Sequence, residues 1–78
     1  MNKFNQSEFE NKAKKMVSSY CDSNEKEVFM VWFSKVGSNA KAMLSSDLDD
    51  RYFEVTYIGE EGKYIVDIYN FVGGVVNE

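Results

Sequence analysis

The 78-residue sequence predicts an α+β fold in one domain, 1–78: one N-terminal helix packed on a four-stranded antiparallel β-meander sheet. Three observations predict it. A single stripe of helical period lies near the N-terminus, four runs rich in β-branched and aromatic residues follow it, and every connection between them is short and polar. With 44% apolar and 28% charged residues, five Tyr and six Phe, the composition is that of a folded chain rather than a disordered one. Domains of about 60 residues bury only roughly 60% of the surface of their unfolded chain, so a chain of this size has room for one core.

The helix is predicted from Glu8 to Cys21. Ser7-Glu8-Phe9-Glu10 has the form of a capping box, in which the Ser7 hydroxyl accepts from the Glu10 amide and the Glu10 carboxylate reaches back to the Ser7 amide. Phe9, Ala13, Met16, Val17 and Tyr20 then form the apolar stripe of a helix buried along one side. Lys12, Lys14 and Lys15 fall on the outer side, with Glu8 placed to pair with Lys12 at i,i+4. Asp22-Ser23-Asn24 supplies turn chemistry at the end.

The period changes at Glu27. Val28 to Phe33 is apolar at both parities, which predicts a strand over residues 27–36 covered on both faces and therefore central. Gly37-Ser38-Asn39 turns the chain into a second strand over 40–45, whose Ala40 and Ala42 leave space for a helix to lie close. After a polar loop, the third strand spans 52–58, with Phe53, Val55 and Tyr57 on one face and Glu54 and Thr56 on the other. Gly59-Glu60-Glu61-Gly62 closes a hairpin to the fourth strand over 63–69. The segment from Asn70 is a short helical turn or a frayed tail, because Gly73-Gly74 disfavours a long helix. One helix cannot cover both faces of such a sheet, so aromatic surface carrying Trp32, Tyr52 and Tyr64 is expected to stay open to a partner unless the tail folds over it.

The residue inventory argues against catalysis. There is no His, so Cys21 lacks an imidazole base and the common zinc arrangements lack ligands. A lone Cys forms no intrachain disulfide, which fits a reducing compartment. Charges interrupt the N-terminal segment where a signal peptide needs a continuous apolar run, and no later run has the length of a membrane span. Asp47, Asp49 and Asp50 resemble half of a calcium loop, but if Asp47 took its first position, Tyr52 would stand where the loop needs Gly and Ile58 where it needs the bidentate Glu. The glycines form no phosphate-cradling pattern, and Glu60 and Glu61 would repel a phosphate. No enzyme, cofactor or metal is expected.

Charge is the remaining signal. Residues 1–41 hold seven Lys against five acids, net +2, while residues 42–78 hold Arg51 and Lys63 against eight acids, net −6. Direct nucleic-acid binding requires clustered cations against phosphates, the reverse of this distribution. Asp47, Asp49, Asp50, Glu54, Glu60 and Glu61 are therefore the candidate partner-binding set, able to face a basic protein surface, and solvated turns that protect sheet edges are the plainer alternative.

Three blocks in order carry a resemblance: Val31-Trp32-Phe33 with Lys35, Lys41 to Ser46, and Tyr52 to Tyr57. Over Glu27 to Tyr69 the sequence resembles a family of small uncharacterised proteins encoded by phages and prophages of Gram-positive bacteria. Gly73-Gly74 and Val75-Val76 depart from the more charged, helix-like ending of that family. The resemblance implies no catalytic residues. It implies a phage accessory protein in the cytoplasm of the bacterial host that binds and inhibits a host protein, a defence or nucleic-acid enzyme, in the manner of anti-CRISPR proteins. The alternative is a homodimeric or phage-structural interaction module that uses the aromatic sheet face or an open edge strand.

Overall fold

The computed structural model describes residues 4–21 and 27–70. Helix α1 spans Gln6–Ser18, two residues earlier at its start than the stripe suggests and three shorter at its end. Its cap is Asn5 rather than Ser7: the Asn5 side-chain oxygen accepts from the Glu8 amide at 3.0 Å. Asn caps as well as Ser does, and Ser7 already lies inside the first turn. The hydroxyls of Ser18 and Ser19 donate to the carbonyls of Lys15 and Met16 at 2.8 and 2.6 Å. These local bonds compete with the helical ladder and end it before Cys21. The predicted Asp22-Ser23-Asn24 turn and the segment beyond Asn70 lie outside the described residues.

Four strands follow, β1 (Val28–Val36), β2 (Asn39–Ser46), β3 (Asp49–Ile58) and β4 (Lys63–Tyr69). They pair antiparallel in the order β1-β2-β3-β4, with α1 against one face, which is the predicted α+β meander. Strand β1 is not central, however. It is an edge of the sheet among the described residues, and its second face is open, with Val31, Trp32 and Val36 exposed.

A β-bulge explains why β1 reads as apolar at both parities. The pairing runs Met30↔Leu44 and then Trp32↔Met43, so Val31 has no partner of its own. An extra residue shifts the phase of a strand. Val28 and Met30 therefore share the helix-covered face with Phe33, while Phe29 and Trp32 share the open face. Beyond the bulge the rows are regular. Phe33, Ala42, Val55 and Val66 cross the covered face, and Trp32, Met43, Glu54 and Asp67 cross the open one.

Phe9, Ala13 and Val17 of α1 bury against Ala40, Ala42, Leu44, Phe53 and Val55 of the sheet. Met16 of the predicted stripe is half-buried, and Tyr20 is exposed. The alanines of β2 allow the close approach, and burying a Phe or Leu side chain such as Phe9, Leu44 or Phe53 stabilises the fold by about 1.5–3 kcal/mol each. Phe9 also contacts the rings of Phe33 and Tyr64, at centroid distances of 5.6 and 6.1 Å. Lys12, expected opposite Glu8, instead carries its ammonium 4.7 Å above the Tyr64 ring, and an i,i+4 ion pair joins Lys14 to Glu10 at 3.1 Å.

The turns differ in chemistry. Gly37 has φ of 60° and opens the two-residue turn between Val36 and Asn39, the position where a hairpin of matching twist needs a left-handed residue. The turn at Asp47-Leu48 contains no residue with positive φ. A right-handed turn splays the strands it joins, and the register shift beside Ser46 absorbs the mismatch. At the other end of the sheet, Gly59 packs so closely under the Gly37-Ser38 turn that a β-carbon there would collide with the Ser38 carbonyl oxygen. The Gly59 amide donates to the Asn39 side-chain oxygen at 3.0 Å, which joins the two turns.

Candidate functional site

Alternation along the strands distributes the six predicted carboxylates over both ends and one face of the sheet. Asp47 lies in the β2–β3 turn. Asp49 and Asp50 begin β3 and are not part of a loop. Glu60 and Glu61 lie in the β3–β4 turn at the opposite end of that ten-residue strand, about 30 Å away at the usual rise per residue. Glu54 sits midway, on the open face. Sequence proximity therefore does not make these groups one contact surface.

Several of the six already have partners. The Arg51 guanidinium donates to both carboxylate oxygens of Asp49, at 3.0 and 2.8 Å, and the Arg51 amide donates to Asp49 at 2.9 Å. These bonds hold the Asp49 carboxyl at about 2, well below its ordinary value of 3.8. The same guanidinium donates to the Tyr20 carbonyl at 2.8 Å, tying the chain beyond α1 to β3. Asp49 is thus part of a clamp that fastens the chain beyond α1 to β3. Glu54 pairs with Lys41 at 3.4 Å, and Glu61 pairs with Lys63 at 3.3 Å. Asp47, Asp50 and Glu60 are exposed turn or strand-end groups.

The predicted aromatic face also divides. Trp32 and Tyr52 are on the open face, as the register requires. Tyr64 is on the other face: its ring lies 4.7 Å from that of Tyr57, and its phenol is held above its ordinary value by desolvation, with the charges of Tyr57 and Glu8 adding to it. Alternation along β4 explains the difference, because Lys63 and Ile65, one residue to either side of Tyr64, lie on the open face.

The open face also carries residues that sequence reasoning missed. Phe29, 44% exposed, stands on β1 with the predicted Trp32, 39% exposed, and Tyr69, 42% exposed, stands on β4 and stacks on Tyr52 at 5.6 Å. Met43 lies between Trp32 and Glu54, and Asp67 lies beside Glu54. The surface is thus an aromatic and thioether patch with two carboxylates in its middle row. The signal was available in the hairpin: pairing β4 to β3 across Gly59–Gly62 puts Asp67 opposite Glu54 and Tyr69 opposite Tyr52. No element among the described residues covers this face.

At its β1 end the face dips into a shallow groove bordered by Trp32, Ser34, Val36, Lys41 and Thr56. The arrangement offers apolar contact and charge. Among the described residues no three Asp, Glu or Cys side chains gather as a metal-binding group, and no helix is long and apolar enough to cross a membrane.

A family model described as a family of unknown function, DUF6275, matches residues 7–76, from the first turn of α1 to near the end of the chain. Neither the curated proteins nor the solved structures gave a match. The chain belongs to that family of unknown function.

Proposed function

From that membership, which brings no activity with it, we propose that the protein acts by binding and not by catalysis. It is a phage-borne accessory protein that docks on a host protein in the bacterial cytoplasm and blocks it. The observation that carries this reading is the open sheet face, where Phe29, Trp32, Met43, Tyr52 and Tyr69 surround the Glu54 and Asp67 carboxylates. Trp, Tyr and Met are the side chains from which tight protein contacts are built, because they bury large area at low conformational cost. Carboxylates inside such a patch favour a partner that presents Arg or Lys beside an apolar surface.

Enzymes that hold nucleic acid present such surfaces, and a defence nuclease of the host is the partner class that the charge of −4 and the resemblance to phage and prophage proteins both favour. The acidic turns then act at the rim, where charge steers association more than it holds the complex. The function therefore moves from the turns expected to carry it to the face between them.

The test compares two variants for inhibition of host CRISPR or restriction nucleases and for capture of the inhibited enzyme. Trp32→Ala removes a residue on the open face and is expected to weaken capture by 30-fold or more, as an interface anchor worth about 2 kcal/mol does. Lysine at both Asp47 and Asp50 is expected to slow association, with a smaller effect on dissociation. Full inhibition by Trp32→Ala, with loss only in the Asp47 and Asp50 variant, would return the function to the acidic turn.

A further inference from the structure

We propose that the protein pairs with a second copy of itself through β4, edge to edge and antiparallel, forming one continuous sheet of eight strands. This inference stands apart from what the open face binds. It starts from a difference between the two edges of the sheet. Strand β1 is interrupted by its bulge at Val31, a device that blunts an edge against pairing. Strand β4 pairs with β3 from Tyr69 to Lys63 without a register shift and has no Pro, while Ile65 and Ile68 on it are exposed. Among the described residues its other side is unpaired. A regular edge with exposed apolar side chains is a template for another strand.

The sequence of β4 selects both the partner and the register. A two-fold axis through Ile65, perpendicular to the sheet, places Lys63 of each copy opposite Asp67 of the other. Both residues lie on the open face, in directly opposed positions where opposite charges attract. On the covered face the same axis sets Tyr64 opposite Val66 and brings Ile68 opposite Gly62, which has no side chain to obstruct it.

Neighbouring registers lose this match. An axis through Tyr64 would oppose Asp67 to Glu61, and one through Val66 would leave Lys63 and Asp67 facing Tyr69 and Ile65. A surface patch that complements itself about a two-fold is the requirement of a closed dimer. Both helices then lie on one side, and the two open faces become one.

Sedimentation of the full chain across a range of protein concentration tests the proposal, together with charge exchange. The wild type is expected at twice the 9.0 kDa mass of one chain at high micromolar concentration. Lys63→Asp alone or Asp67→Lys alone sets like charges opposite each other twice and is expected to weaken the dimer by on the order of tenfold or more. The double exchange restores the pairing and is expected to restore the dimer. Ile65→Cys gives an independent reading, because residues opposed on a two-fold lie about 4.5–5.5 Å apart between Cα atoms, within disulfide reach, and mild oxidation should link the copies. A wild type that stays monomeric throughout overturns the proposal. So does a dimer that neither single exchange weakens, or one that the double exchange fails to restore.

Discussion

Asp49 shows how the fold can occupy a side chain that the sequence offers as a free carboxylate. In the sequence it is one of three acids in a polar stretch. In the fold its carboxylate is occupied by Arg51, which also reaches the Tyr20 carbonyl, so the side chain fastens layers together. Because the folded carboxyl titrates at about 2, below its ordinary 3.8, the folded state holds its proton less tightly than the unfolded chain does. The stabilisation is therefore present above pH 4 and is lost as the pH falls from about 4 toward 2. Urea midpoints measured at pH 6, 4 and 2.5 should fall more steeply for the wild type than for Asp49→Asn. Arg51→Lys should lower the midpoint at pH 6, because an ammonium cannot reproduce the two-pronged contact. None of this was legible from spacing, since the i,i+2 partner of Asp49 depends on a local kink at the start of β3.

At the scale of elements, the strands were the most legible part because side-chain alternation and turn residues are local signals. The places and order of all four follow from the Gly37-Ser38 and Gly59–Gly62 turns and the β-branched and aromatic runs. What escaped was the position of β1 within the sheet. A run such as Val28 to Phe33 reads alike whether neighbours cover both faces or a bulge switches phase beneath an exposed apolar surface, and only pairing distinguishes the two. The helix start was missed for a related reason: Asn5 and Ser7 both offer capping oxygens, and docking of Phe9 fixes the phase. The turns at the Gly59 end make a sharper prediction. Gly59→Ala should destabilise the fold by about 1–3 kcal/mol, because the Ser38 backbone must move to admit a methyl group. Asn39→Ala, which only frees the Gly59 amide, should cost about 0.5–1.5 kcal/mol. Equal losses in paired urea melts would mean that the turns are held by the hydrogen bond alone.

Taken whole, the molecule is a sheet with a helix on one side and, among the described residues, nothing on the other. Two-layer architecture and acidity were legible from composition and order. Which carboxylates lie together was not, because the sheet separates Asp47 from Glu60 by the length of β3 while register brings Asp67 to Glu54 from another strand. A sheet one residue thick also imposes a pattern on evolution. Neighbouring positions such as Met43 and Leu44 face opposite ways, one onto the open face and one into the core that holds the chain folded. If every position were varied and cellular abundance scored, losses should recur at every second residue through Ala40, Ala42 and Leu44 and again through Phe53 and Val55, each large-to-Ala change at a buried Leu or Phe costing about 2–5 kcal/mol. Along the first strand that rhythm should slip by one beat at Val31, and an unbroken rhythm there would contradict the bulge. Val31 is consequently a position where β1 can lose a residue without turning Trp32 or Phe33 to the wrong side, a point of tolerance for length inside an element where length is otherwise fixed by the faces it must serve.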